Sequence, residues 1–162
     1  MDTIAVYWEP RIKTYGFQRI TDLALIEFSY PLSEIKSLGE ILSQDRLQGL
    51  RSKFIIAQQS DQKISFILCL PVKEGKDFHA SLEKTPGPTP HRYIYPVGII
   101  FFHGPHFGDR YGVADATFSA LSKAEIQIMA SGCSSSSVFL VLLQDDIDKA
   151  EEALTQIFEV AK

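Results

Sequence analysis

Two histidines lie three residues apart in the segment His103-Gly-Pro-His106, a spacing at which two imidazoles can share one metal ion. A stable metal site needs three or four ligands, and only Asp109 and His91 lie near enough in sequence to add any. The pattern therefore favours surface histidines in a loop that contains glycine, and we predict no metal and no other cofactor.

The two cysteines, Cys69 and Cys133, are the other candidates for chemistry. A reactive thiol needs a neighbour that lowers its pKa, and no lysine or arginine adjoins Cys133. Two distant cysteines make no disulfide framework, so reduced, packed or partly exposed thiols are expected. The chain also has no Walker loop and no GxGxxG, GxSxG or CxxC motif, and we therefore predict that it is not an enzyme.

Composition excludes several classes of protein. The 162 residues are 45% hydrophobic and 22% charged, which is typical of globular domains rather than of disordered chains. A net charge of −4 with scattered basic residues argues against a nucleic-acid partner, which needs a clustered basic face. The longest apolar runs, Val97–His103 and Val138–Leu143, are too short to cross a membrane, and no export signal is evident. A cytoplasmic protein is expected.

Hydrophobic periodicity predicts the elements that must position any site. Period-two or continuous apolar runs predict strands at Thr3–Trp8, Asp22–Phe28, Lys53–Ala57, Lys63–Leu70, Tyr93–His103, Glu125–Met129 and Val138–Leu143. Apolar residues at helical spacing predict helices that begin near Ser33, that span Asp77–Lys84 and Val113–Ala124, and that carry the stripe Ile147, Ala150, Leu154, Ile157 and Phe158.

The serine-rich segment Ser131–Ser137 lies between two predicted strands. Serine hydroxyls bond to the local backbone in turns, so the segment predicts the turn of a β-hairpin. A flexible linker would deprive the flanking strands of their partners, and a nucleophile would need a base that the local sequence does not offer.

Each half of the chain has the order strand–helix–strand–strand–helix, and the segment TPGPTP at 85–90 separates the halves. This order is most of a ferredoxin-like βαββαβ unit. The second half lacks its last strand, and Thr3–Trp8 is a spare strand at the other end of the chain. We therefore predict an α+β fold of two ferredoxin-like units, with antiparallel sheets and helices on one face. Residues 20–88 form the first unit, inserted within a second unit of residues 1–19 and 89–162.

The second half carries an ordered set of residues: Gly112-Val113-Ala114, Phe118, Leu121, Ile126-Gln127-Ile128, the serine-rich turn, an apolar strand, Asp145-Asp146, and Ala150, Leu154 and Phe158. This set resembles the second ACT domain of aspartate kinases over about fifty residues. The first half resembles an ACT domain only in the order of its elements, and the kinase catalytic domain is absent from the sequence.

The resemblance implies a dimeric regulatory module that binds an amino acid where the loop after a unit's first strand meets a strand of a partner domain. Helix N-termini offer unpaired N–H groups to a carboxylate. The candidate ligand-binding residues are Tyr30, Leu32, Ser33 and Glu34 in the first unit, and Asp109, Gly112, Val113, Ala114, Ile126, Gln127 and Ile128 in the second. The alternative is that these are ordinary loop, cap and solvent-facing residues.

We therefore expect a non-catalytic sensor of a small amino acid, with lysine and threonine as the first candidates by resemblance. Exposed sheet edges favour a homodimer. The regulated partner would be a separate amino-acid biosynthetic enzyme. One alternative is an interaction module on the ACT scaffold that binds no small molecule. Another is a metal-dependent or thiol enzyme built around His103, His106 and Cys133.

Overall fold

A computed structural model of the protein describes residues 11–43, 49–105, 107–108, 110–134 and 136–160. The strand predicted at Thr3–Trp8 lies outside these residues. The elements follow one another as β1 (Ile12–Thr14), β2 (Phe17–Pro31), α1 (Ile35–Leu42), β3 (Phe54–Ser60), β4 (Lys63–Pro71), α2 (Val72–Lys84), β5 (Thr89–His103), α3 (Val113–Lys123), β6 (Ile128–Cys133), β7 (Ser137–Leu143), α4 (Ile147–Ile157) and β8 (Phe158–Val160). Short 3₁₀ turns, Leu32–Glu34 and Gln144–Asp146, lead into α1 and α4.

The chain divides into two compact units. One is continuous in sequence, residues 21–97, and the other is split into residues 1–20 and 98–162. We call them the continuous unit and the split unit. Because β2 and β5 each run across a division point, both strands contribute residues to both units. A strand that belongs to two units gives no single boundary, so the domain limits drawn from the sequence stay a prediction.

The continuous unit has the complete order β2-α1-β3-β4-α2-β5, and its strands lie in the order β3-β4-β2-β5. Strand β4 pairs antiparallel with both β2 and β3. Its core is formed by alternate residues of two strands and by apolar residues of both helices. These are Ile26, Phe28 and Tyr30 of β2, Leu68 and Leu70 of β4, Leu38 of α1, and Phe78 and Leu82 of α2. Helix α2 comes close to the sheet at Gly75, where a Cβ atom would lie only 2.8 Å from the Cβ of Ala24.

The split unit has the strand order β2-β5-β7-β6, with β6 and β7 paired antiparallel. Its two helices bury residues at helical spacing, such as Val113, Thr117 and Leu121 on α3. The last strand, β8, pairs parallel with β1, with Ile12 opposite Phe158. Within the described part of the chain, the strand that lies beside β5 on the side away from β7 is β2. The predicted α+β fold of two ferredoxin-like units is confirmed.

The serine-rich hairpin is confirmed, with a shorter turn than predicted. Ser131, Gly132 and Cys133 belong to β6 and pair with Leu140, Phe139 and Val138 of β7. The turn is closed by a hydrogen bond in which the Ser134 N–H donates to the Ser137 carbonyl at 2.9 Å. Backbone pairing between strands therefore extends further into the serine run than serine's turn preference indicates.

Several element limits predicted from the sequence were wrong. Strand β2 begins at Phe17 rather than Asp22, and β5 begins at Thr89, within the segment predicted to separate the halves. Strand β6 begins at Ile128 rather than Glu125, because Glu125 has a left-handed φ of 55° in the turn after α3. Phe158 belongs to β8 rather than to the helix, and it is buried against Phe102 at a ring distance of 5.0 Å. Helix α2 begins at Val72, five residues before the predicted start. Among the described helices, none is long and apolar enough to span a membrane.

Candidate functional site

The loop that follows β2 in the continuous unit holds four predicted site residues. Tyr30 is the penultimate residue of β2 and is fully buried, whereas the other three, Leu32–Glu34, form the exposed 3₁₀ turn that leads into α1. The Leu32 N–H donates to the carbonyl of Gln62 at 2.8 Å, which ties this loop to the β3–β4 hairpin. Among the described residues, no side chain caps the start of the turn at Pro31. The Leu32 N–H is already paired, so the Ser33 N–H that follows is the uncapped donor that a carboxylate receptor requires.

A polar cleft of about 560 Å³ lies at the same end of the continuous unit. It is lined by Ser29, Ser60, Asp61, Gln62, Lys63 and Ser65. Asp61 and Lys63 flank Gln62 and bring opposite charges to the cleft. Because Gln62 also accepts the hydrogen bond from Leu32, the cleft and the loop after β2 are directly connected. An amino acid carries both charges, so this lining matches the chemistry of a zwitterion.

The corresponding loop of the split unit begins after His103 and ends at Gly112. Gly112 has a left-handed φ of 88° and precedes α3, and no side chain of the described residues caps this helix start. Of the predicted site residues at this helix start, Val113 is buried and Ala114 is exposed. Phe107 anchors the loop, because it is buried with its ring 6.0 Å from that of Phe102. Asp109, like His106, lies outside the described residues.

The predicted site residues Ile126, Gln127 and Ile128 do not lie beside Gly112. They follow the C-terminal end of α3, where the Ile126 N–H donates to the Leu121 carbonyl at 2.9 Å. Gly112 precedes the same helix, and 11 helical residues separate the two ends by about 16 Å. Ile126 is buried and Gln127 is exposed. Within one split unit these residues therefore cannot contact the same small ligand.

The remaining chemical candidates are placed as follows. Across the described ranges, which omit His106 and Asp109, no group of three metal-ligating side chains comes together. Cys133 is exposed at the end of β6. Cys69 is buried in β4, and burial raises the pKa of its thiol to about 12 because a thiolate would lose its hydration there.

We expect one thiol per chain to react rapidly with Ellman's reagent under native conditions at pH 8, and two after unfolding. Cys133 is the accessible thiol, and Cys69 is shielded by burial that also suppresses its thiolate. Cys133→Ser should abolish the fast phase, and Cys69→Ala should leave it unchanged. Because the folded-state pKa of Cys69 is raised, its contribution to stability is complete below about pH 9 and is lost as the pH rises towards 12. A fast phase that survives in Cys133→Ser would contradict this assignment.

Sequence reasoning missed two residues that shape these loops. Gly87, in the segment between α2 and β5, closes over Tyr30, and Phe107 anchors the loop of the split unit. The only local signal for Gly87 was its place between Pro86 and Pro88, which indicated a break and not a contact. Phe107 stood as a lone apolar residue in a polar loop, which is a weak signal for an anchor.

Comparison with solved structures finds the same fold in regulatory parts of aspartate kinases. The regulatory subunit of aspartate kinase from Thermus flavus superposes with a TM-score of 0.72 at 13% identity, covering 90% of this chain and 98% of that one. The ligand-free regulatory subunit from Thermus thermophilus gives 0.70 at 16% identity, covering 90% and 99%. Aspartate kinase from Clostridium acetobutylicum gives 0.72 at 18% identity, covering 94% of this chain but 36% of the enzyme. No protein-family model and no curated sequence matches the chain. At these identities the likeness shows the fold.

Proposed function

We propose that this chain is a non-catalytic regulatory protein that binds a small amino acid. The observation that carries the proposal is the match in fold with two regulatory subunits of aspartate kinase over 98–99% of their length. Fold alone does not dictate function, so the proposal also needs a site whose chemistry suits the ligand.

The loop end of the continuous unit supplies that chemistry. The uncapped turn offers the backbone N–H of Ser33 to an α-carboxylate, and Lys63 adds a positive charge. Asp61 offers a carboxylate to the α-ammonium group. Opposite charges on either side of one cleft favour a zwitterion over a simple anion or cation.

In the split unit the proposed ligand contacts are Gly112, Val113 and Ala114, with Asp109 as the partner of an ammonium group. Ile126, Gln127 and Ile128 lie at the other end of α3, so we propose that they contact ligand bound to a second copy of the chain. Lysine and threonine are the first ligands to test. We propose a cytoplasmic homodimer that regulates a separate amino-acid biosynthetic enzyme.

A thermal-shift screen against the twenty amino acids tests the proposal. A ligand at 100 times its dissociation constant stabilises the native state by about 2.7 kcal/mol, which raises the Tm of a chain of this length by roughly 5–10 °C. We expect one or two amino acids to give such a rise, and Gln127→Ala to reduce it. Gln156→Ala, another exposed glutamine in the split unit, is the matched control and should keep the rise. No shift with any amino acid at millimolar concentration would refute amino-acid sensing by this chain.

The second candidate is an assembly module without a small-molecule ligand, and strand β3 favours it. β3 is the terminal strand in the order β3-β4-β2-β5, its sequence FIIAQQS carries no charge, and the Ile55 side chain is 60% exposed. An uncharged edge strand can pair with its own copy because no like charges face each other.

If β3 forms the dimer contact, Ile55→Lys should weaken dimerisation at least about tenfold, because it places a charge beside its own symmetry mate. Light scattering over a concentration series measures the association, and Tyr111→Lys, at a side chain that is 99% exposed, is the control. A dimer that forms through β3, together with a flat amino-acid screen, would favour the assembly module. Unchanged association in Ile55→Lys would exclude β3 as the contact.

A further inference from the structure

Gly87 lies directly over the hydroxyl group of Tyr30. Its φ is +110°, a conformation that L-residues rarely adopt. A Cβ atom built on it would lie 2.7 Å from Oε2 of Glu34 and 3.0 Å from Oη of Tyr30. The carboxylate and the hydroxyl oxygen therefore both lie within about 3 Å of one point, and a residue larger than glycine would occupy that point.

The Tyr30 hydroxyl has no structural role that the described residues show. The side chain is fully buried in the core beside Phe28 and Leu38, and its Oη has no hydrogen-bond partner among the described residues. A buried, unpaired hydroxyl destabilises a fold, and phenylalanine would fill the same core without that penalty. Such a group therefore indicates a partner that binds from outside the chain.

Glu34 defines which partner fits. Its residue is exposed in the 3₁₀ turn, so the carboxylate stands on the solvent side of the buried hydroxyl. Both oxygens can accept hydrogen bonds, and Glu34 is an acidic residue. A primary ammonium group has three N–H donors and a positive charge, and it satisfies both oxygens at once. An anion would be repelled, and a neutral alcohol would leave the carboxylate without a counter-charge.

We propose that Tyr30 and Glu34, covered by Gly87, form a subsite for a primary ammonium group. That this group belongs to an amino acid rests on the proposed function, whereas the subsite itself rests on the geometry at Gly87. Because Gly87 lies so close to both oxygens, entry of the ammonium group displaces the segment Thr85–Pro88. Thr85 holds the start of this segment to α2, since its Oγ1 donates to the Ser81 carbonyl at 2.8 Å. Pro86 and Pro88 have fixed φ angles on either side of Gly87, so we expect the segment to move as one rigid piece.

The test uses n-butylammonium chloride as the probe, with sodium chloride and 1-butanol as controls for ionic strength and for the alkyl chain. Isothermal titration and thermal shift should detect saturable binding of butylammonium to the intact chain, and none of 1-butanol. Tyr30→Phe should raise the Tm of the ligand-free protein and weaken butylammonium binding about tenfold or more, because a hydrogen bond to a charged group is lost.

Glu34→Gln keeps the shape of the side chain and removes its charge, so it should abolish binding. Glu40→Gln, on the exposed side of α1, is its matched control and should bind as the unaltered protein does. Gly87→Ala should lose binding and stability together. Gly49 has φ +84°, and no atom of the described residues lies within 4 Å of its Cβ position. Gly49→Ala therefore carries the same backbone penalty without blocking the subsite, and it should retain binding.

Two results would overturn the subsite: a lower Tm in ligand-free Tyr30→Phe, which would mean that the hydroxyl has a partner within the protein, and butylammonium binding that is absent or unaffected by Tyr30→Phe. An amino acid that stabilises the unaltered protein and Tyr30→Phe equally would remove the subsite and leave the proposed function standing. Butylammonium binding through Tyr30, with no response to any amino acid, would keep the subsite and remove the proposed function.

Discussion

Gly104→Ala is expected to destabilise the protein by about 3 kcal/mol, a large fraction of the stability of a typical domain. A Cβ atom at this position would collide with the backbone carbonyl of Lys13 and with the ring of Phe107. Neither neighbour can retreat easily. Lys13 lies within β1, where the next residue, Thr14, donates from Oγ1 to the His103 carbonyl at 2.8 Å, and Phe107 is buried.

Urea unfolding followed by circular dichroism measures this loss as a lower midpoint at unchanged slope. Gly39→Ala is the matched control, because Gly39 lies in α1 and, apart from the helix backbone, no atom of the described residues lies within 4 Å of its Cβ position. There the substitution should stabilise the protein by about 0.5–1 kcal/mol, since alanine favours the helix. Equal midpoints for the two variants would show that β1 does not press against Gly104 in solution.

Phe102→Ala is expected to cost about 4 kcal/mol. The side chain is fully buried, and its ring lies 5.1 Å from Phe17, 6.0 Å from Phe107 and 5.0 Å from Phe158. Removing it takes one ring out of three aromatic pairs and leaves a cavity that strands β2, β5 and β8 cannot close by moving inwards.

Phe102→Leu keeps most of the volume and should cost about 1–1.5 kcal/mol, which separates the loss of volume from the loss of ring contacts. Amide hydrogen exchange adds a local readout, because the segment around Phe107 should lose protection in Phe102→Ala more than the continuous unit does. A free energy of unfolding for Phe102→Ala within about 1 kcal/mol of that of the unaltered protein would contradict the role of this ring as the centre of the cluster.

The sequence predicts the elements where local periodicity and tertiary packing agree. Helix α3 was predicted because apolar residues repeat along it, and Val113 and Leu121 are buried as expected, whereas Phe118 is exposed. Strand β7 was predicted because its residues are continuously apolar. Prediction failed where a long-range partner decides the conformation. Phe158 fits a helical stripe, yet it pairs with Ile12, 146 positions earlier, and the chain extends there into β8. No window of neighbouring residues contains that information.

The candidate site was predictable only in its separate parts. The helix starts near Ser33 and at Val113 follow from local sequence, and α1 and α3 begin within two residues of them. The approach of Gly87 to Tyr30, 57 positions apart, depends on where α2 ends and β5 begins. Gly112 and Gln127 are far apart because α3 lies between them. The sequence predicts that helix, but matching the two motifs one at a time does not take its length into account.

The shared strands β2 and β5 restrict how the gene can change length. Insertions and deletions usually accumulate where the chain leaves one unit for another, because such joints are normally loops. Here both joints, at 20/21 and 97/98, fall inside paired strands. One added codon at either joint would turn every following side chain of the strand to the opposite face. Related genes should therefore keep these two strands constant in length and vary instead at the segments between helices and strands.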